Sequence, residues 1–242
     1  NRNTFIEGAS ALLKKLPDQV PAGLAAQLQQ NSSVLAVPLN DECYLTTQQQ
    51  TGPLHVVWNH RWEFDKGPEL LYQALKTLDS ASINVTFSVV GQQFRRYPEA
   101  FNHIKAQFPL LLKHCGFIES AVEYRQLLQD ADVVLSTALH DFQGIAVLEG
   151  VAAGALPVVP NRLAYQELFS EQHRYCSQDQ QKASNKETEA LVSMLKQLAT
   201  HKENNTLPVA PTVDAFNWKH LKPQYQELMN LTIKRFSTKL IN

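Results

Sequence analysis

Two short stretches of this chain carry residue types that can do chemistry on an anionic substrate. The first is Asn59-His-Arg-Trp-Glu-Phe-Asp-Lys-Gly67, where Arg61 and Lys66 follow an apolar run and precede a helix opening near Pro68. A planar guanidinium fork and an ammonium point charge beside a strand end can clamp a diphosphate. The plain alternative is a solvated loop whose cations pair with Glu63 and Asp65. The second stretch is His140-Asp-Phe-Gln-Gly-Ile-Ala-Val-Leu-Glu149, followed by Gly150-Val-Ala-Ala-Gly-Ala-Leu-Pro-Val-Val159. Gly144 opens a helix of small apolar residues, where backbone N–H groups can approach a phosphate with no Cβ in the way. Glu149 lies about one and a half turns further on. Among Ala, Val and Leu its carboxylate is costly unless it accepts hydrogen bonds, and ribose hydroxyls would serve. A glutamate on the helix surface is the alternative. The nine glycines never stand one residue apart, so GxGxxG is absent, as is GxxxxGK[ST]. The usual dinucleotide and nucleoside-triphosphate fingerprints are thereby removed.

The elements that must position these loops are legible from periodicity. Candidate strands are Leu54–Asn59, Val85–Val90, Leu110–His114, Val133–Thr137 and Ala155–Val159, with helices near 68–78, 94–107, 121–129, 144–153 and 163–169. Nearly continuous Val/Leu/Phe strands alternating with helices predict a doubly wound, parallel α/β sheet buried on both faces. Ligands of such sheets bind at the carboxyl ends of the strands near a topological switch point. A further helix is predicted over 186–200 and a terminal one over 214–235. Upstream, Phe5, Ala9, Leu12, Leu13 and Leu16 recur at helical spacing until Pro17 stops the run. A weaker helix follows near 22–30, then a short strand Val34–Pro38. Residues 40–52 are polar and read as a linker. Residues 1–50 are accordingly expected to be the tail of an upstream domain plus linker, or else a helical extension packed on the main domain, and 51–242 the main domain.

Composition narrows the function class. With 22 Lys+Arg against 23 Asp+Glu the net charge is -1, so the cationic excess that drives non-specific binding to nucleic acid or anionic membranes is missing. No apolar run reaches the roughly 20 residues of a membrane span and no signal peptide opens the chain. Cys43, Cys115 and Cys176 are far apart, without a CxxC pair, which indicates neither a disulfide framework nor a zinc knuckle. A soluble, cytoplasmic protein is expected.

Taken together, Arg-x4-Lys-Gly after the first strand and acid-x7-Glu before a small-residue helix resemble the nucleotide-sugar half of GT-B glycosyltransferases, of the retaining group-1 kind. The resemblance spans about 54–235 and includes Phe216-Asn-Trp218 with Tyr225, similar to that family's closing helix. The strings Val57–Gly67 and His140–Glu149 look more particularly like the tRNA-queuosine α-mannosyltransferase family, as does Asn1–Leu39, with Asn3-x-Phe5 and Pro17-Asp18. This sequence departs from the family pattern where Asp141 replaces a glutamate and Gln143-Gly144 replaces Phe-Gly, with Phe142 shifted by one. The family's acceptor-binding domain is expected to lie outside this sequence.

The resemblance implies roles. Arg61 and Lys66 would hold the donor diphosphate and stabilise the leaving group, helped by backbone N–H groups at Gly144 and Ile145. Glu149 would accept from the ribose hydroxyls and Asp141 from those of the sugar, with His140 and Gln143 bordering it. The base would lie against the loop with Gly116, Phe117 and Ile118. The implied donor is GDP-mannose, bound as a substrate with no cofactor, and the implied acceptor is queuosine in tRNA, read by the missing domain. No covalent nucleophile is needed. Asp130-Ala-Asp132 mimics a metal-binding DxD but precedes its strand instead of following it, so a helix-end pair and no metal are expected. His55, His103, His114, His173, His201 and His220 show no ligand spacing. Trp58, Trp62 and Trp218 read as core or interdomain surface. The competing functions are a GT-B-fold sugar-nucleotide epimerase and a non-catalytic nucleotide-sugar-binding domain.

Overall fold

The computed structural model describes residues 2–16, 21–45, 51–177 and 184–239, the side chains of 234–239 excepted. Pro17, Asp18 and residues 46–50 of the expected linker lie outside the described residues. In chain order the elements are α1 (Arg2–Leu13), α2 (Leu24–Asn31), β1 (Leu54–Trp58), α3 (Pro68–Ser80), β2 (Val85–Val90), α4 (Ala100–Gln107), β3 (Leu112–Gly116) and α5 (Ala121–Gln129). Then follow β4 (Val133–Leu135), α6 (Ile145–Ala152), β5 (Leu156–Pro160), α7 (Ala164–Leu168), β6 (Arg174–Tyr175), α8 (Asn185–Glu203) and α9 (Trp218–Lys239).

All strand pairs are parallel, in the order β3-β2-β1-β4-β5-β6. Alternation along the strands feeds two cores. Val56, Trp58, Val133 and Leu135 face α3, α4 and α8 through Leu71, Leu75, Phe101, Ile104, Leu191 and Leu195. Val57, Val134 and Val159 face α6 through Val147, Leu148 and Val151 on the other side. β1 and β5 are buried along their whole length, as a sheet covered on both faces demands. The predicted doubly wound α/β fold is what forms, and its strand order reverses between β1 and β4, the neighbours that carry the two chemical loops.

Several boundaries differ from expectation. Helix 94–107 begins only at Ala100, because the Pro98 ring disfavours helical backbone at Tyr97. The third strand lies two residues late, with Leu110 exposed in the turn ahead of it. Strand four stops at Leu135, and the side chains of Ser136 and Thr137 turn to other partners. Val34–Pro38 finds no strand partner; the chain makes one bridge beyond it, Leu39 with Asn217. The two-residue β6 was not anticipated.

Contacts divide the chain into Pro38–Trp218 and a smaller unit of residues 1–37 with 219–242. Residues 38–45, counted from sequence with the upstream tail and linker, thus belong with the sheet: Leu39 is buried, Cys43 likewise, and Tyr44 and Leu45 pack on the same core. Within the smaller unit, Arg2 Nε donates to Ser32 O (3.0 Å) and Tyr225 Oη to Ala36 O (2.9 Å). No helix among the described residues is long and apolar enough to cross a membrane.

Candidate active site

The loop after β1 is built to bring Lys66 back under the sheet edge. Trp58 Nε1 donates to Thr137 Oγ1 (2.9 Å), which donates to Lys66 O (2.7 Å). Gly67 then adopts φ +64 so close to the chain leaving β4 that an added Cβ would fall 2.1 Å from Thr137 O. No side-chain-bearing residue fits there. Lys66 is consequently buried, and its Nζ donates to His140 O (2.7 Å) and lies 3.1 Å from Asp65 Oδ2 and 3.7 Å from Asp141 Oδ1. Arg61 is different: its side chain is 56% exposed and pairs with Glu63 at 3.0 Å. The solvated-loop alternative describes Arg61 in this state, whereas Lys66 is a buried junction between the two loops.

The loop after β4 delivers the acids. Asp141 Oδ2 accepts from Tyr165 Oη (2.6 Å), which also bonds Ser136 Oγ (2.9 Å). Gly144 caps α6 at φ +68 with no side-chain cap, its Cα pressed to the Tyr165 ring so that a Cβ would meet Cε1 at 2.8 Å. The first N–H groups of α6 therefore have no capping side chain, an arrangement that favours an anion. Ile145 at the first helical position is partly exposed, Phe142 and His140 are exposed, and Gln143 is half-buried. Glu149 accepts at Oε2 from Tyr124 Oη (2.9 Å), and burial pushes its carboxyl above the ordinary range.

A cleft of about 320 Å³ opens at the carboxyl ends of β1, β2 and β3, lined among others by Asn59, Arg61, Gln92, Phe117, Ile118 and Tyr124. Eight of the ten predicted residues therefore fall into two groups, with Gln143 and Glu149 in neither. Arg61, Phe117 and Ile118 share the cleft; Lys66, His140 and Asp141 meet beside the start of α6, which carries Gly144 and Ile145. Asn59 joins them, because it lines the cleft while its Nδ2 donates to Tyr124 Oη (3.0 Å) and to Ala146 O (2.7 Å) of α6. His60, also on the cleft wall, is buried with Nε2 unpartnered, and burial pushes its imidazole down to about 4. The motif reading passed over Asn59, His60, Tyr124 and Tyr165 as site residues. Asn59 and His60 carry a signal, two polar residues directly after an apolar strand; the tyrosines carry none.

The remaining candidates serve the fold. Asp130 caps α5 and accepts from Gln126, while Asp132 holds Lys202 (2.6 Å) and the His55 backbone N–H (2.9 Å). Both are helix-end and sheet-edge fittings. His55 is buried between Asp130 O and Ser88 Oγ. Trp58 and Trp62 are core, Trp62 stacked on Phe101 at 4.2 Å, whereas Trp218 is 40% exposed.

The chain is 29% identical over 241 residues to the tRNA-queuosine alpha-mannosyltransferase of Drosophila melanogaster, covering 95% of this chain and 62% of that protein. It thus spans less than two thirds of that relative. Among solved structures it resembles Anabaena HepE in complex with UDP and glucose (TM-score 0.65, 17% identity, 85% of this chain and 59% of that one). It also resembles the pneumococcal O-GlcNAc transferase GtfA in complex with UDP and GlcNAc (TM-score 0.59, 14% identity, 78% and 38%). These likenesses show the fold alone, a Rossmann-like parallel α/β domain of the GT-B kind. The model of the family described as glycosyl transferases group 1 matches residues 47–207. With two thirds of its length under that match, the chain belongs to the group 1 glycosyl transferases.

Proposed function

We propose that this chain is the donor-binding half of a retaining glycosyltransferase that transfers mannose from GDP-mannose to queuosine in tRNA, the residues ahead of Pro38 being the tail of its acceptor domain. The observation that carries the donor reading is the junction of buried Lys66, Asp141 and the uncapped start of α6 at the switch point. It offers a cation and backbone N–H groups to a diphosphate and a carboxylate to a sugar, side by side. In this reading Arg61 leaves Glu63 for the diphosphate and stabilises the leaving group with Lys66. Glu149 accepts from the ribose, Phe117 and Ile118 flank the base, and His140 and Gln143 border the sugar. The mannosyl and queuosine assignments draw on the Drosophila relative and on the likeness of the Val57–Gly67 string. No metal is assigned, since Asp132 is already engaged by Lys202 and the His55 N–H. The leaving phosphate, not a protein nucleophile, assists acceptor deprotonation.

Calorimetry of this chain with GDP, UDP and ADP tests the donor. GDP is expected to bind tightest, and tighter UDP binding overturns the GDP-mannose assignment. Mannosyl transfer to queuosine-containing tRNA by the full-length protein tests the acceptor.

A further inference from the structure

Glu149 stands on α6 where burial favours its neutral form, and one O–H group opposes that. Tyr124, from α5, places its hydroxyl between Asn59 Nδ2 (3.0 Å) and Glu149 Oε2 (2.9 Å). The direction of this chain of bonds is set at its far end. Asn59 Nδ2 also meets Ala146 O at 2.7 Å, which only accepts, so the amide nitrogen and not the oxygen must face Tyr124. Tyr124 Oη therefore accepts from Asn59, and its own proton is directed to Glu149. Burial and the neighbouring carboxylate push the phenol well above its usual range, so it keeps that proton. Among the described residues the neighbouring groups do not compete: the Cys43 thiol is pushed up to about 11 and stays neutral, while Arg125 and Glu42 nearby pair with each other at 2.8 Å.

We propose that Tyr124, locked by Asn59, is a positioning residue that holds Oε2 of Glu149 and so aims Oε1 at the ribose diol of the nucleotide donor. The inference rests on the donor reading above, and deepens it by naming what makes the ribose contact selective. With one carboxylate oxygen held by a fixed phenol, Oε1 is the oxygen left to face the ligand. Tyr124 also lines the cleft, so the positioning bond is made at the wall the nucleoside would occupy. Asn59 ties this wall to the end of β1, which is why Glu149 on α6 and the cleft at the ends of β1, β2 and β3 share a frame.

The test compares GDP and UDP with their 2′,3′-dideoxy counterparts by calorimetry, on wild type and on Tyr124→Phe. In wild type, loss of the diol is expected to cost about tenfold or more in affinity, as for hydrogen bonds to a charged group. In Tyr124→Phe at pH 7 the gap between the paired ligands should shrink to within about threefold. Removing the O–H donor leaves burial unopposed at the Glu149 carboxyl, so in the variant the gap should widen as the pH is raised, the direction in which Glu149 ionises. An unchanged gap in the variant overturns the role of Tyr124, and so does equal loss with both ligands of a pair, which marks a merely structural tyrosine. Should Tyr124→Phe fail to fold by circular dichroism, Asn59→Ser is measured by the same criterion, since it frees the Tyr124 hydroxyl. Absence of any gap in wild type instead overturns the ribose contact of the donor reading, and the Tyr124 inference with it.

Discussion

Replacing Lys66 by methionine keeps most of the buried stem and deletes the ammonium. Three partners lose it: His140 O at 2.7 Å, Asp65 Oδ2 at 3.1 Å and Asp141 Oδ1 at 3.7 Å. The bond to His140 O is charge-assisted and sits on a side chain only 10% exposed, so its loss costs about 1.5–3 kcal/mol. Asp65 is 38% exposed and adds at most about 1 kcal/mol. Asp141, 16% exposed, keeps the Tyr165 hydroxyl as its remaining donor. The sum is about 2–4 kcal/mol, or a melting temperature lower by about 5–15 °C for a unit of this size. Arg61→Met is the contrast: an exposed pair with Glu63 contributes about 1 kcal/mol or less. Both variants should lose GDP affinity by about tenfold or more, through the diphosphate, while guanosine binding stays level. Urea unfolding and calorimetry on the two variants decide it. Lys66→Met within about 0.5 kcal/mol of wild type would refute the buried junction. Equal weakening of guanosine and GDP by Arg61→Met in a folded protein would refute the diphosphate clamp.

Gly144→Ala should destabilise by about 2 kcal/mol or more, since an alanine at positive φ costs about 1–2 kcal/mol and its Cβ would press the buried Tyr165 ring; a melting temperature unchanged from wild type would refute it. His60, neutral in the folded protein and pushed down to about 4, makes stability fall with acid. Below about pH 6.5 the unfolded chain takes up a proton that the folded one refuses, a loss reaching about 3 kcal/mol near pH 4. His60→Gln should remove that share of the acid slope in urea midpoints at pH 7 and 4.5, leaving the parts from His55 and His173, whose imidazoles are shifted the same way. GDP affinity should be level within about twofold in EDTA and in Mn²⁺, and a tenfold drop on chelation would mean that Asp130 and Asp132 do bind metal.

What could be read in advance divides along a physical line. β1, β4 and β5 were legible because a strand buried on both faces admits little except Val, Leu and their like, and that requirement is written into consecutive residues. β6 has two residues, Arg174 and Tyr175, and takes its strand character from Val159 and Pro160 beside it, so no local signal existed. Val34–Val37 has the composition of a strand, yet Val34 and Val37 stay exposed, because strand character without a neighbouring edge makes no ladder. The site follows the same rule. Each chemical loop is contiguous, so Arg61 with Lys66 could be paired by spacing, and Asp141 with Glu149 by the family resemblance that their spacing carries. Spacing could not say that Lys66 turns inward to the other loop while Arg61 stays in water, since that follows from Gly67 lying against Thr137. Nor could it find the hydroxyls on the two acids: Tyr165 lies 24 residues after Asp141, and Tyr124 lies 25 before Glu149. Each tyrosine reaches its acid from another helix. A parallel sheet sets those helices side by side only after every crossover has closed. The residues that carry charge are thus local in sequence, and the residues that hold them in place are local only in the fold.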